Sequence, residues 1–308
     1  MPTWNDIDSR ITSRTTSERV EPVCLEERAN ALSELANYTK RPTIAYYSGF
    51  LQKKSADGKP HPESAITDFD MNGFMANCYR LNQETGLDLI IHTPGGATEA
   101  TRAIVGYLYK MFGRNIRVIV PQLAQSAGTM IACAASDIVL GKHSCLGPTD
   151  PQIGGAPAMG VLHEIDKALE EIRERPDRNL FWQHVFAKYP PTFISNCERA
   201  IAGTKQMISE WLRDGMFAGD PDQAAKVNAV VNGLMNYVDT SEHGHHFSPE
   251  DCHNFGMKIV PLEEDQRLQE LVLTVHHTYV ASFARLPVIK FIENSIGTTW
   301  TIEDARSI

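Results

Sequence analysis

Three short apolar runs, each ended by a turn of proline, glycine or small residues, constrain the fold more than anything else in this chain. Leu87–Thr93 (LDLIIHT) is almost continuously apolar, as a strand buried on both faces must be. Pro94-Gly95-Gly96 breaks it, and Thr98–Phe112 resumes with the spacing of an amphipathic helix. Ile116–Pro121 (IRVIVP) is a second such strand, Ser126–Ala135 (SAGTMIACAA) a helix of mostly small residues, and Asp137–Leu140 (DIVL) a third strand. Parallel neighbours need a crossover between them. Strand, helix, strand, helix, strand at this spacing therefore predicts an α/β fold with a parallel sheet wrapped by helices.

The flanking segments are less regular. Residues 1–24 are polar and read as a flexible N-terminal arm, with helical spacing starting at Leu25–Tyr38 (Leu25, Ala29, Leu32, Leu35, Ala36). Thr43–Ser48 is β-prone, Gln52–Ser64 is a polar loop, and Asp70–Thr85 is expected to be a helix opened by an aspartate cap and closed by Gly86. Beyond Pro157 the chain reads as mainly helical, over Met159–Arg173, Asn179–Ala187, Ser195–Asp214, Pro221–Val231 and Asp265–Phe283. Residues 285–308 read as a C-terminal tail, leaving one domain over residues 25–284.

The 308 residues are 42% hydrophobic and 22% charged with a net charge of −9, which gives no electrostatic support to general binding of nucleic acid or anionic membranes. No apolar run reaches the roughly 18–20 residues that span a bilayer, and the N-terminus lacks the apolar segment of a secretory signal. The six cysteines are dispersed without a CxxC pair and read as reduced thiols. A cytoplasmic protein follows as the expectation.

Two strand ends carry chemistry. At His92-Thr93-Pro94-Gly95-Gly96, paired glycines let main-chain N–H groups face outward and a ligand come close. At Gln125-Ser126-Ala127-Gly128-Thr129, Ser126 opens a helix at the positive end of its dipole, where the Ala127 N–H has no helical partner. Neighbouring parallel strands bring both turns to one sheet edge. The parts are those of an acyl-transfer site: a nucleophilic hydroxyl and two main-chain donors for an oxyanion. The plainer alternative is a small-residue helix packed closely on a sheet. Ala124 stands where a G-x-S-x-G elbow has glycine, which weakens an α/β-hydrolase reading.

Leu87–Gly96 (LDLIIHTPGG), Ser126–Ala132 (SAGTMIA) and Leu146–Gly154 (LGPTDPQIG) resemble the serine dehydrogenase proteinase family, related to signal peptide peptidase A and more distantly to the Clp protease and crotonase superfamily. The similarity runs from about Arg41 to about Asn294. It implies a ClpP/crotonase-like spiral of βαβ units with a helical C-terminal part, serine-nucleophile proteolysis and a homo-oligomer. By this resemblance Ser126 is the nucleophile, and the N–H groups of Gly96 and Ala127 form the oxyanion hole.

The base is less defined. Where a Clp-type histidine is expected the chain reads Gly147-Pro148-Thr149-Asp150-Pro151, without one. The signal-peptide-peptidase branch places a lysine a few dozen residues after the serine, which points to Lys167; Lys142 is too near and Lys188 too far. A lysine base must be neutral, its pKa brought from about 10.4 towards 7–8, and the neighbouring Asp166, Glu170 and Glu171 oppose that. A solvated helix lysine paired with Glu at i+3 and i+4 is the plain alternative. His163, one turn before Lys167, and His143, in a loop, are alternative bases; His92 reads as structural, and Asp150 as a residue holding its proline-rich turn.

The run His243-Gly244-His245-His246, with Asp251, Cys252 and His253, offers zinc donors, but its spacing is neither a finger nor HExxH, and Ser248-Pro249 is a helix start. No metal and no cofactor is expected, pyridoxal phosphate included. The expectation is a cytoplasmic serine peptidase of Ser-Lys type acting on peptides or unfolded segments. The alternatives are a catalytically impaired ClpP-like assembly or peptide-binding module and, ranked lower for want of a carboxylate pair at the turns, a crotonase-type acyl-CoA enzyme. The apolar residues of Ser195–Asp214 (Ile201, Met207, Ile208, Trp211, Leu212) suggest an oligomer contact or internal packing.

Overall fold

The computed structural model describes residues 3–15, 20–235 and 245–304. Helices α1 (Trp4–Arg14) and α2 (Val20–Thr39) precede β1 (Thr43–Ser48), α3 (Asp70–Cys78), β2 (Leu87–His92), α4 (Thr98–Phe112) and β3 (Ile116–Val120). Next come β4 (Leu123–Ala124), α5 (Ala127–Cys133), β5 (Asp137–Leu140), β6 (Cys145–Leu146) and a two-residue-stranded hairpin, β7 (Gln152–Ile153) with β8 (Ala156–Pro157). Helices α6 (Ala158–Glu174), α7 (Asn179–Phe186), α8 (Phe193–Asp214), α9 (Gln223–Leu234) and α10 (Pro249–Asn254) follow. The chain closes with β9 (Ile259–Pro261), α11 (Gln266–Arg285), β10 (Val288–Asn294) and β11 (Thr299–Glu303).

The main sheet has strand order β11-β10-β1-β2-β3-β5-β9, parallel from β1 through β9, with β10 antiparallel to β1 and β11 to β10. Alternation along the strands divides the core. Tyr46, Leu89, Ile91 and Val118 face the layer that includes α3, α4, α5, α8 and α9, whereas Tyr47, Ile90, Ile119 and Val139 face α1, α2 and α11. Both faces are covered, which is why the three central runs are mostly apolar; the buried Asp88 in β2 is paired with Arg41 and Arg117. This is the α/β architecture, a parallel sheet wrapped by helices, expected from the βαβ pattern.

Several elements depart from the sequence reading. The segment expected to be a loose arm contains α1, closed at its start by a capping box between Thr3 and Asp6, with Ile7 and Ile11 fully buried beside α2 and α11. Arg10 and Arg14 hold it to the buried Glu27 at 2.5 and 2.6 Å; residues 1–2 and 16–19 lie outside the described ones. The expected C-terminal tail supplies β10 and β11, beside β1 in the main sheet; residues 305–308 lie outside the description. Helix α3 stops at Cys78 because Tyr79 is already extended (ψ 129°), and Arg80 then turns the chain through φ 66°; Asp70 does not cap the helix but points inward. The apolar side of α8 is internal packing, with Met207, Ile208, Trp211 and Leu212 buried in the core. Among the described residues no helix is long and apolar enough to cross a membrane.

Candidate functional site

The two turns at the ends of β2 and β3 are bonded to one another. Thr93 N–H donates to the Leu123 carbonyl at 3.1 Å, and Gln125 N–H to the Thr93 carbonyl at 3.0 Å. This lays Pro94-Gly95-Gly96 alongside the approach to α5. The chain then reverses sharply: Gly128 N–H donates to the Gln125 carbonyl at 2.8 Å, with Ser126 at the first inner position of the turn, φ 52° and ψ −114°. A non-glycine residue there is strained by roughly 1–3 kcal/mol. The strain lifts Ser126 to the lip of α5, half-buried, with its side chain making no capping bond.

Glycine is required on the facing turn by contact. A Cβ on Gly95 (φ 93°) would lie 2.7 Å from both the Gln125 carbonyl oxygen and Ser126 Cβ, and 3.0 Å from Ala127 N. A Cβ on Gly96 would lie 2.3 Å from the main chain of Ile66, which bridges Gly96 in parallel. Ile66 N–H donates to the Gly95 carbonyl at 2.8 Å and Ala97 N–H to the Ile66 carbonyl at 2.9 Å. In that pattern Gly96's own N–H faces away from Ile66. Ala127 is the first residue of α5, so its N–H has no helical acceptor. Ser126 and Gly96 border a cleft of about 350 Å³ that also takes in Met130, Gln152, Ile153, Arg199 and Thr204, with Ala127 buried directly behind Ser126.

The family described as ClpP-like SDH-type serine proteinase matches residues 72–232, just over half of the chain and the stretch holding both turns. The chain belongs to that family. Two uncharacterised proteins of Methanocaldococcus jannaschii are similar to it. One is 44% identical over 81 residues, 26% of this chain and 28% of the relative. The other is 39% identical over 92 residues, 30% of this chain and 31% of the relative. The chain thus spans about three tenths of the length of these relatives.

A serine proteinase of the ClpP-like SDH type needs a proton acceptor for its nucleophile, and the sequence-derived acceptors lie apart from Ser126. Lys167 and His163 are exposed on α6 and line a different, larger cavity of about 620 Å³ with Trp182, Lys188, Tyr189 and Phe193. The β7–β8 hairpin is the wall between the two: Gln152 and Ile153 border the Ser126 cleft, Gly154 and Ala156 the other. The larger cavity therefore holds Lys167 and His163, and the smaller one Ser126 and Gly96. Beside Lys167, the Glu171 carboxyl is held below its usual range, first by the Trp182 indole N–H and then by Arg178 and Lys167.

His143 is exposed on the loop after β5, its ring against Gly141. His92 is fully buried on the α11 side of the sheet, between Tyr47, Phe50 and His276. Burial brings its pKa down to about 3. Neither ring nitrogen reaches a hydrogen-bond partner, the Leu123 main chain being near but outside bonding geometry. Asp150 is buried and accepts from Gln152 Nε2 at 3.1 Å, bracing the turn into β7.

Of the histidine-rich run, His243 and Gly244 lie outside the described residues. His245 packs edge-on against Phe247, and Asp251 closes a capping box with Ser248 at the start of α10. Among the described residues no group of three or more His, Cys, Asp or Glu converges as a metal site. The sequence reading missed the charged rim of the cleft, Arg199 and the ion pair Arg102–Glu99 (3.4 Å), and the Ile66 bridge. The arginines sit on the polar sides of amphipathic helices, where nothing local marks them. Ile66 is brought in only by strand pairing.

Proposed function

We propose that this chain hydrolyses peptide bonds in extended or unfolded polypeptide segments through an acyl-enzyme on Ser126. The observation that supports it is the contact between the Gly95-Gly96 turn and the Ser126-Ala127 turn, which brings a hydroxyl and two main-chain amides together at one sheet edge. Ser126 Oγ attacks the carbonyl carbon as its proton leaves, and the Gly96 and Ala127 N–H groups bind the resulting oxyanion. Collapse expels the amine, which takes up a proton, and water then releases the acyl group. Arg102 and Arg199, permanently charged, cannot accept the serine proton but can hold carbonyl or carboxylate groups of a bound segment.

We assign the proton acceptor to Lys167, in a closed arrangement where α6 carries it past the β7–β8 hairpin. Helix α6 rests mostly on a small apolar cluster, Ala158, Val161 and Cys197, and among the described residues meets the main core through Met159 alone, so a shift of α6 disturbs little of that core. The second reading, a peptide-binding module without turnover, is favoured by one observation: among the described residues no lysine or histidine lines the Ser126 cleft. The chain is further proposed to act in the cytoplasm and as a homo-oligomer, with exposed Leu169, Leu180 and Phe181 available to a second copy.

A fluorophosphonate probe followed by peptide mapping tests the proposal. Labelling at Ser126 that vanishes in Ser126→Ala is expected, and its absence from the wild type supports the binding module. Lys167→Ala should slow labelling by about 10²-fold or more. An unchanged rate removes Lys167 as base.

A further inference from the structure

We propose that the buried pair Asp70–Lys290 is a positioning device for the oxyanion donor Gly96, acting through residues 64–67; this rests on the acyl-transfer reading above. Lys290 on β10 and Asp70 at the start of α3 are both fully buried. Lys290 Nζ donates to Asp70 Oδ1 at 2.8 Å and Oδ2 at 2.9 Å, and its remaining proton goes to the Ala65 carbonyl at 2.7 Å. Asp70 Oδ2 also accepts from Thr67 N–H at 3.0 Å and from the Tyr46 hydroxyl at 2.9 Å. Ser48 Oγ donates to the Ser64 carbonyl at 2.7 Å. Main-chain groups on either side of Ile66 are thus fixed by side chains rooted in β1, β10 and α3.

Ile66 in turn fixes the glycine turn. Its N–H and carbonyl bond Gly95 and Ala97 on one edge, leaving the Gly96 N–H on the other, the edge that borders Ser126. A displacement of residues 65–67 must therefore rotate the peptide that presents the donor. Full burial of an ion pair is costly, and apolar residues of similar volume give equal or better stability. Here two of the pair's five hydrogen bonds, to the Ala65 carbonyl and from the Thr67 N–H, hold the segment that bonds Gly95 and Ala97, so its contribution lies in geometry. Both residues lie outside the stretch matched to the family, residues 72–232.

The test compares the wild type with the double variant Asp70→Leu/Lys290→Met, which leaves no unpaired charge, and with Ser48→Ala and Tyr46→Phe, which each remove one hydroxyl and keep the pair. Three quantities are read: the rate of fluorophosphonate labelling of Ser126, the KM and kcat for a peptide substrate, and amide hydrogen exchange over residues 93–98. The double variant should label about 10²-fold more slowly, as on loss of one oxyanion donor, with KM within threefold of the wild type. Exchange over residues 93–98 should rise tenfold or more while that of β3 and β5 is unchanged. The single variants should shift labelling and local exchange together in the same direction, by about five- to tenfold. Folded variants with wild-type labelling and wild-type exchange at 93–98 overturn the inference. A wild type that is not labelled overturns the acyl-transfer reading itself, and exchange at 93–98 then still reports whether the clamp sets the turn.

Discussion

Ser126 combines two features that a serine opening a helix for packing alone would not need. Its backbone lies at φ 52° and ψ −114°, and its side chain makes no capping hydrogen bond to α5. Ordinarily a serine at this position accepts from an N–H two or three residues on, and alanine in its place costs about 1 kcal/mol. Here nothing is gained from capping, while a Cβ is held in a region that glycine enters freely. Ser126→Gly should therefore be more stable than Ser126→Ala by about 1 kcal/mol in urea unfolding. Equal midpoints, or a more stable alanine variant, would mean that the turn stores no strain and that Ser126 is an ordinary helix start. The close packing below it points the same way: Gly128 accommodates Thr93 Cγ2 where a Cβ would come within 2.5 Å, so α5 sits against β2 at a distance only glycine allows.

Among the elements, α4 offers a contrast in which glycine serves no contact. A Cβ on Gly106 would meet nothing within 4 Å, and the residue is interior to a 15-residue helix. Gly106→Ala should raise stability by about 0.5–1 kcal/mol, read as a higher urea midpoint, and leave Ser126 labelling unchanged. The same comparison explains which elements the sequence revealed. β2, β3 and β5 were legible because strands buried on both faces leave apolar runs, and the two turns of the candidate site because glycine pairs and a small-residue helix follow those runs directly. β10 was not, because inward-facing Lys290 and Glu293 interrupt its pattern: Glu293 is satisfied by Tyr279 at 2.6 Å and Arg28 at 2.9 Å and Lys290 by Asp70, and of these Arg28 and Asp70 lie more than 200 residues away in sequence. α1 was hidden for a different reason, since only Ile7 and Ile11 mark its buried side. The spacing that singled out Lys167 says nothing of the hairpin standing between it and Ser126, because an intervening wall is a property of tertiary packing.

At the scale of the whole molecule, the side of the sheet opposite the cleft makes folding sensitive to acid. His92 and His276 are buried edge to face, ring centroids 5.4 Å apart, with Tyr47 and Phe50 around them; Tyr47 OH lies 3.4 Å from His276 Nδ1. Burial lowers both imidazole pKa values, that of His92 to about 3, and in His276 the nearby His92, His277 and His143 add to the effect. An unfolded histidine titrates near 6.5. Between about 6.5 and 3 the unfolded chain therefore binds protons that the folded chain refuses. Stability is fully present above about pH 6.5 and is lost as pH falls through that window. The urea midpoint should thus decline from pH 7 to pH 5, a range in which most carboxylates stay ionised. His92→Phe, which keeps an aromatic ring against Tyr47 and Phe50, removes one of the two protons involved and should reduce that slope by about half, whatever it does to stability at pH 7. A variant whose midpoint falls as steeply as the wild type's would place the acid sensitivity elsewhere, and His92 would then be only a space-filling ring behind the oxyanion turn.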